Sequence, residues 1–221
     1  MPETKPPQRP APGLAEDMAQ QLRDRVISGE LGPGQRLSEA RLAADLQISR
    51  NTLREVFRLL TREGLLSHQP NRGVFVATPS MASIVDIYRI RRMIELPALA
   101  QAWPGHDAVA RMETAVARAE TLHRQGDWRG IGSANMEFHA AIVALTDSPR
   151  LIGFFARITA ELRLAFGLLG SPEQLYRPYI TRNGAILDRL RDGDAAAASA
   201  LLEDYLNQSE RTVLEAFARL G

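Results

Sequence analysis

The stretch SANMEFHAAIV, residues 133–143, places an amide and an imidazole at a spacing that suits shared chemistry. Asn135 and His139 are four residues apart, so on an α-helix their side chains lie on one face. With a carboxylate at the first position the pair would form half of a metal site, because carboxylate and imidazole groups both bind divalent metals. An amide stands there instead, so the role of His139 depends on the protein around it.

Composition restricts the classes of protein that can surround this pair. The chain has 221 residues, of which 45% are hydrophobic and 24% charged, and these values are typical of a soluble globular protein. It contains no cysteine, which excludes disulfides and thiolate metal sites. Because there is no signal-peptide pattern and no uncharged apolar stretch of about 18 residues, we expect a cytoplasmic protein without a membrane span.

The first half of the chain is predicted to form three helices followed by a β-hairpin. Apolar spacing predicts a helix over residues 14–29, a short helix after Ser38, and a third that Ser49 caps and that ends near Gly64. The segment LLSHQPNRGVFVA then has two apolar ends around a turn-forming centre. Three helices and a hairpin predict a winged helix-turn-helix domain, which we assign to residues 14–78.

The second half is predicted to be an all-helical antiparallel bundle over residues 79–221. Proline or glycine marks each break between its helices, and no strand pattern interrupts them. The predicted helices cover residues 82–102, 107–125, 128–146, 150–169, 173–191 and 195–219. The prediction is therefore a mainly α protein of two domains, preceded by a proline-rich, disordered tail at residues 1–13.

The third predicted helix, SRNTLREVFRLLTREG, has the pattern of a DNA-reading helix. Its apolar residues repeat on one side, and its arginines step by four along the other, at Arg50, Arg54, Arg58 and Arg62. Arginine can bind guanine and asparagine can bind adenine in the major groove. An arginine stripe alone can also be a solvated helix face, but the short helix before it and the hairpin after it favour DNA binding.

These segments resemble a known family. RLSEARLAADLQISRNTLREVFRLLTREGLL, followed by NRGVFV, closely resembles the N-terminal domain of GntR-family bacterial transcription regulators. RIRRMIE, GDW…NMEFHAAIVALTDSPRL and AILDRLRDGDAAAASALLEDYL resemble the ligand-binding FCD domain of the FadR subfamily. The resemblance covers essentially everything after Gly13.

The resemblance implies a homodimer that binds a pseudo-palindromic, double-stranded DNA operator. The residues it places at the operator are Ser49, Arg50, Asn51, Thr52, Arg54, Arg72 and Gly73. One departure is visible, since the family usually has an arginine after the glutamate that follows Leu-Ser, and Ala40 stands there, with Arg41 next to it.

The resemblance also bears on the role of His139. The subfamily commonly holds a divalent metal with one aspartate and three histidines, whose places here are taken by Asn135, His139, Asn183 and Tyr205. A single imidazole beside two amides and a phenol is a poor metal site, so we predict no metal cofactor and direct binding of a small-molecule effector by these four residues. Arg91 and Glu95 allow two interpretations: either Arg91 holds an effector carboxylate, or the two form a salt bridge that orders the domain junction.

The predicted function is a ligand-responsive transcription regulator, most often a repressor in this family, that a metabolite such as an organic acid releases from its operator. One alternative is an effector-independent DNA-binding dimer whose bundle only dimerises, and another is a helical metalloenzyme. The sequence has no phosphate loop, no HExxH and no G-x-S-x-G motif, so we predict no enzymatic activity.

Overall fold

The computed structural model describes residues 13–169 and 172–219, and most of the predicted tail lies outside the described residues. Nine helices and three strands make up this part of the chain. The helices are α1 Leu14–Ile27, α2 Glu39–Asp45, α3 Arg50–Arg62, α4 Met81–Ala100, α5 Asp107–Gln125, α6 Trp128–Ala144, α7 Pro149–Gly167, α8 Pro172–Arg191 and α9 Ala195–Ala218. The strands are β1 Arg36–Leu37, β2 Leu66–Gln69 and β3 Gly73–Val76. The predicted fold class is confirmed.

The helix-turn-helix unit forms because local signals define both ends of its turn. The Ser38 side chain caps α2, and Ser49 caps α3 by accepting a hydrogen bond from the Thr52 amide at 3.1 Å. Gln47, between the two helices, has a positive φ of 54°, which lets the chain reverse in few residues. On the inner side of α3, Leu53 and Val56 are fully buried.

The wing contains one strand more than predicted. β1 pairs with β3 in antiparallel register, so that the sheet order is β1-β3-β2. Two residues are too few for the alternating pattern that marks a strand in a sequence, so β1 was missed. At the wing tip Gln69 lies opposite Gly73, whose φ of 103° is in the region that favours glycine.

The bundle places α6 at its centre, where it contacts α4, α5, α7 and α8. Eleven of the 17 residues of α6 are buried, including Phe138 and Ile142, which have no exposed surface. The six predicted bundle helices match the observed ones to within two residues at each end. None of the helices in the described ranges has the length and apolarity that a bilayer crossing requires.

Helix α7 belongs to both hydrophobic cores. Its Ala160 and Leu164 pack with the core of the winged domain, whereas Leu162 and Phe166 pack in the core of the bundle. Because α7 also contacts α1, the two domains pack directly against each other.

Candidate functional site

The exposed face of α3 carries the side chains predicted to meet DNA. Arg50, Asn51 and Arg54 are exposed on this face, while the opposite side of the helix is buried in the core. A groove with a volume of about 540 Å³ runs between α3 and the wing. Its wall includes Arg54, Arg58, Arg62 and His68. Three arginines outnumber one glutamate, Glu39, along this open groove, so its surface attracts phosphate groups.

Ser49 and Thr52 hold the start of this helix. Their hydroxyl oxygens are 2.8 Å apart, and Thr52 is only 4% exposed. The hydroxyl of Thr52 is therefore engaged in the helix cap and lies behind the exposed face. The contact of Thr52 with the operator, which the resemblance implies, stays a prediction.

The wing and the start of α2 complete the surface. The Arg72 guanidinium lies over the Phe75 ring, 5.6 Å from its centroid. This cation–π contact holds the Arg72 side chain beside the wing tip. Arg36 of β1 is exposed and lines a hollow together with Gly73. Sequence reasoning missed Arg36, because only its pairing with β3 places it beside the wing.

An acidic residue holds one of the predicted reading arginines. Glu39 of α2 accepts a hydrogen bond from Nε of Arg54 at 3.2 Å, and both side chains are partly exposed. Ala40 is exposed next to it, and Arg41 is 3.8 Å from Asp45. If Arg54 reads the operator as predicted, Glu39 competes with the DNA for this guanidinium.

The five residues predicted to bind an effector come together inside the bundle, and Glu95 joins them. Their exposed fractions do not exceed 5%: Arg91 3%, Glu95 0%, Asn135 5%, His139 1%, Asn183 4% and Tyr205 1%. We call these six residues the buried polar cluster. It lies on α4, α6, α8 and α9, so four helices contribute to one site.

One half of the buried polar cluster centres on an amide oxygen. Asn135 Oδ1 accepts hydrogen bonds from Asn183 Nδ2 at 2.8 Å and from the Tyr205 hydroxyl at 3.0 Å. The rings of His139 and Tyr205 are in contact, with their centroids 4.8 Å apart. The amide pair therefore links α6 to α8, and the phenol links both helices to α9.

The other half centres on the Glu95 carboxylate. It accepts hydrogen bonds from Arg91 Nε at 2.7 Å and from His139 Nδ1 at 2.6 Å. The salt bridge between Arg91 and Glu95 is thus present, but it orders the interior of the bundle and not the domain junction. Glu95 and His139 are 44 residues apart in the chain, so no local signal pointed to their contact.

The charge states in this half follow from burial and pairing. Burial lowers the pKa of His139 below its usual 6.5, and the neighbouring Glu95 carboxylate only partly offsets this. Burial by itself raises the pKa of Glu95, but Arg91 and His139 together bring it below 4.5. An ionised carboxylate only accepts hydrogen bonds, so the neutral imidazole carries its proton on Nδ1. Nε2 of His139 then presents a lone pair.

Three atoms of the buried polar cluster have no hydrogen-bond partner within the described residues. They are Arg91 Nη2, His139 Nε2 and Asn183 Oδ1. The first is a cationic donor, and the other two are acceptors. Buried polar atoms without partners are rare and costly in folded proteins, so three in one cluster mark it as a candidate binding site.

The cluster does not match the metal site of the FadR subfamily. Of the four positions only His139 is a strong metal ligand, and Asn135 Oδ1 already accepts two hydrogen bonds. Across residues 13–169 and 172–219, no group of three or more histidine, aspartate or glutamate side chains is placed to hold a metal ion.

The fold and the exposed arginine face define a winged helix-turn-helix transcription regulator with a helical second domain. The family model described as bacterial regulatory proteins, gntR family, matches residues 14–76, and the model of the FCD domain matches residues 86–208. The chain therefore belongs to the GntR family of bacterial transcription regulators and carries an FCD domain. These are DNA-binding regulators and not enzymes.

Individual relatives agree over nearly the whole chain. The structure of a GntR transcriptional regulator from Rhodococcus sp. RHA1 is similar, with a TM-score of 0.85 and 36% identity over 91% of this chain and 98% of that chain. The Nta operon transcriptional regulator of Aminobacter aminovorans is 28% identical over 83% of this chain and 88% of its own length. The galactonate operon transcriptional repressor of Escherichia coli K12 is 27% identical, over 81% and 89% respectively.

The competition between Glu39 and DNA for Arg54 predicts that Glu39→Gln binds operator more tightly. Exposed ion pairs are worth about 0.2–1 kcal/mol, so the affinity should rise by up to about fivefold.

Arg54→Ala should weaken binding by about 1–3 kcal/mol if the arginine reads a base. Fluorescence anisotropy on a DNA site selected from genomic fragments measures both. Glu173→Gln, which breaks an exposed pair with Arg177 far from α3, is the matched control and should leave affinity unchanged.

The buried neutral imidazole predicts a pH dependence of stability. The pKa of His139 is lowered on folding, so the unfolded chain binds a proton below pH 6.5 that the folded chain does not bind. The free energy of unfolding should therefore fall as the pH drops below 6.5, with this residue contributing at most about 1.4 kcal/mol per pH unit. The pKa of Glu95 is lowered from 4.5 on folding, so this carboxylate affects the pH dependence of stability mainly below pH 4.5.

Urea unfolding at several pH values measures this slope. His139→Gln should make this slope shallower, by at most one proton, because glutamine does not titrate. His68→Gln, at an exposed position, should keep the slope of the parent protein. Equal slopes in the parent and in His139→Gln would show that the imidazole is not held neutral.

Proposed function

We propose that the protein is a dimeric repressor that a small metabolite, bound in the buried polar cluster, releases from its operator. The observation that carries this proposal is the set of three unpaired buried atoms on α4, α6 and α8. A ligand that pairs them stabilises one arrangement of these helices over another. Regulation then follows if that arrangement no longer presents two α3 helices to adjacent half-sites.

The residues proposed to read the operator are the exposed ones at the start of α3 and at the wing. Arg50, Asn51 and Arg54 reach base edges, and Arg72 and Gly73 approach the backbone. Arg36 and His68 extend this surface along the groove between α3 and the wing.

The unpaired atoms restrict the chemistry of the effector. Arg91 Nη2 needs an acceptor, and its positive charge favours an anionic oxygen such as that of a carboxylate. The lone pair of His139 Nε2 and the carbonyl of Asn183 need donors, which a hydroxyl or an amine supplies. The proposed effector is therefore an organic acid that also carries hydroxyl or amino groups, and it binds without a metal.

The metal-free site predicts near-zero metal per chain. The untagged protein would be exposed briefly to zinc, nickel and manganese, desalted, and its metal content measured by plasma mass spectrometry. Asn135→Asp, which restores a carboxylate four residues before His139, should bind more metal than the parent. Stoichiometric metal in the parent would mean that amide and phenol donors suffice, and simple carboxylates would then return as candidate effectors.

Release from the operator tests the effector. Hydroxycarboxylic acids, the matching acids without hydroxyl groups, and uncharged polyols would be added to the complex of protein and fluorescent operator. Release should need both the carboxylate and the hydroxyl group. Asn183→Leu should raise the releasing concentration by about tenfold or more, since a buried hydrogen bond is lost.

Matched variants separate the two halves of the proposal. Asn207→Leu makes the same change at an exposed position of α9 and should leave release unchanged. Arg50→Ala combined with Arg54→Ala should abolish operator binding itself. If compounds of all three groups leave the complex intact while the double variant still loses operator, the protein is an effector-independent DNA-binding dimer.

A further inference from the structure

A second cavity lies where the winged domain meets the bundle. This junction cavity has a volume of about 140 Å³. Its wall includes residues of the loop after α1 and of three bundle helices, among them Gly29, Gly32, Pro33, Arg129, Arg163 and Tyr176. It is separate from the DNA-reading face and from the buried polar cluster.

Arg163 of α7 is the polar centre of the junction cavity and is only 6% exposed. Its Nε donates to the Ile27 carbonyl at the end of α1, at 3.0 Å. Its Nη2 donates to the Arg129 carbonyl at 3.4 Å, and its Nη1 donates to the Tyr176 hydroxyl. One guanidinium thus connects the winged domain to α6 and α8.

Gly132 of α6 makes room for this arrangement. A Cβ atom at this position would lie 2.6 Å from Nη1 of Arg163 and 2.6 Å from Cζ of Tyr176. Both distances are well below ordinary van der Waals contact. The position of the guanidinium beside the phenol therefore depends on the missing side chain.

The positive charge of Arg163 has no acidic partner among the described residues. Its partners are two carbonyls and a phenol, and the cavity wall adds a second arginine, Arg129, but no carboxylate from that part of the chain. Three of its five N–H groups are used in these bonds, which leaves two. The Tyr176 hydroxyl accepts from Arg163 and so keeps its own proton to donate. A buried cation without a counter-ion is costly, so the cavity favours an anion.

We propose that the junction cavity binds a small oxyanion of about the size of phosphate. Liquid water occupies about 30 Å³ per molecule, so the cavity has room for about four or five waters, or for one tetrahedral oxyanion. The two free N–H groups of Arg163 and the hydroxyl of Tyr176 supply donors of the kind that bind such oxygens. The bound anion neutralises Arg163 and thereby strengthens the contact between the domains.

The position of this site gives it a regulatory consequence. Arg129 lies on α6, which also carries Asn135 and His139, and Tyr176 lies on α8, which also carries Asn183. An anion in the junction cavity therefore ties α1 to the two helices that hold the amides of the buried polar cluster. The proposal of an anion site does not rest on the proposed effector, since the two sites share no residue.

Calorimetric titration of the full chain with potassium phosphate, at constant ionic strength set by potassium chloride, tests the proposal. One phosphate should bind per chain, with a Kd of about 1 mM or lower, and the Tm should rise with phosphate concentration. Tyr176→Phe removes one donor and keeps the ring, so the affinity should fall by about three- to tenfold. Arg163→Met should abolish binding, and sulfate should compete because it has the same shape and charge type.

Controls place the binding at the junction. Tyr179→Phe makes the same change one turn along α8, outside the wall of the junction cavity, and should leave phosphate affinity unchanged. Arg50→Ala with Arg54→Ala removes two arginines of the DNA face, the other surface that would attract phosphate, and should keep the junction site. The proposal is overturned if the parent protein binds no phosphate. It is also overturned if binding survives both Tyr176→Phe and Arg163→Met, or disappears only in the DNA-face variant.

Discussion

The bundle depends on one buried carboxylate that serves two partners. Glu95 accepts from the Arg91 guanidinium and from the His139 imidazole, and all three side chains are almost without solvent exposure. A buried charge of this kind is tolerated only when it is paired and hydrogen-bonded, so the positions of α4 and α6 are tied together. Burial keeps His139 neutral against the effect of this carboxylate. Its hydrogen bond to Glu95 uses Nδ1 and leaves Nε2 as an acceptor without a partner among the described residues.

Helix α3 packs into the core with one face and exposes its arginines on the other. Leu53, Val56 and Leu60 anchor α3 in the core, so the face that carries the arginines makes no core contacts. The cap formed by Ser49 and Thr52 fixes the helix start, where the residues proposed to read the operator lie. Because the wing packs on this same core through Val74 and Val76, its distance from α3 is also defined.

Helix α7 makes the two domains one packed unit. Ala160 and Leu164 face the winged domain, while Leu162 and Phe166 face the bundle. A movement of α7 in one core therefore changes the packing of the other. Arg163 lies between these two faces and binds the end of α1 directly. The proposed effector signal would therefore have a short physical path from the bundle to the winged domain, because α7 cannot move without repacking both cores.

Local patterns in the sequence determined the helices, their caps and the hairpin of the wing, because capping residues, glycine, proline and apolar spacing act over a few neighbouring positions. They also indicated the surface of α3. The resemblance to the FadR subfamily indicated the four side chains at its ligand positions, of which Asn135 and His139 share a helix. Only the tertiary structure decided that Glu95 holds His139, that Asn135 binds Asn183 and Tyr205, that Arg36 pairs into the wing, and that Arg163 joins the domains. These contacts join residues far apart in the chain, and their energies depend on burial, which the packing of all the helices sets.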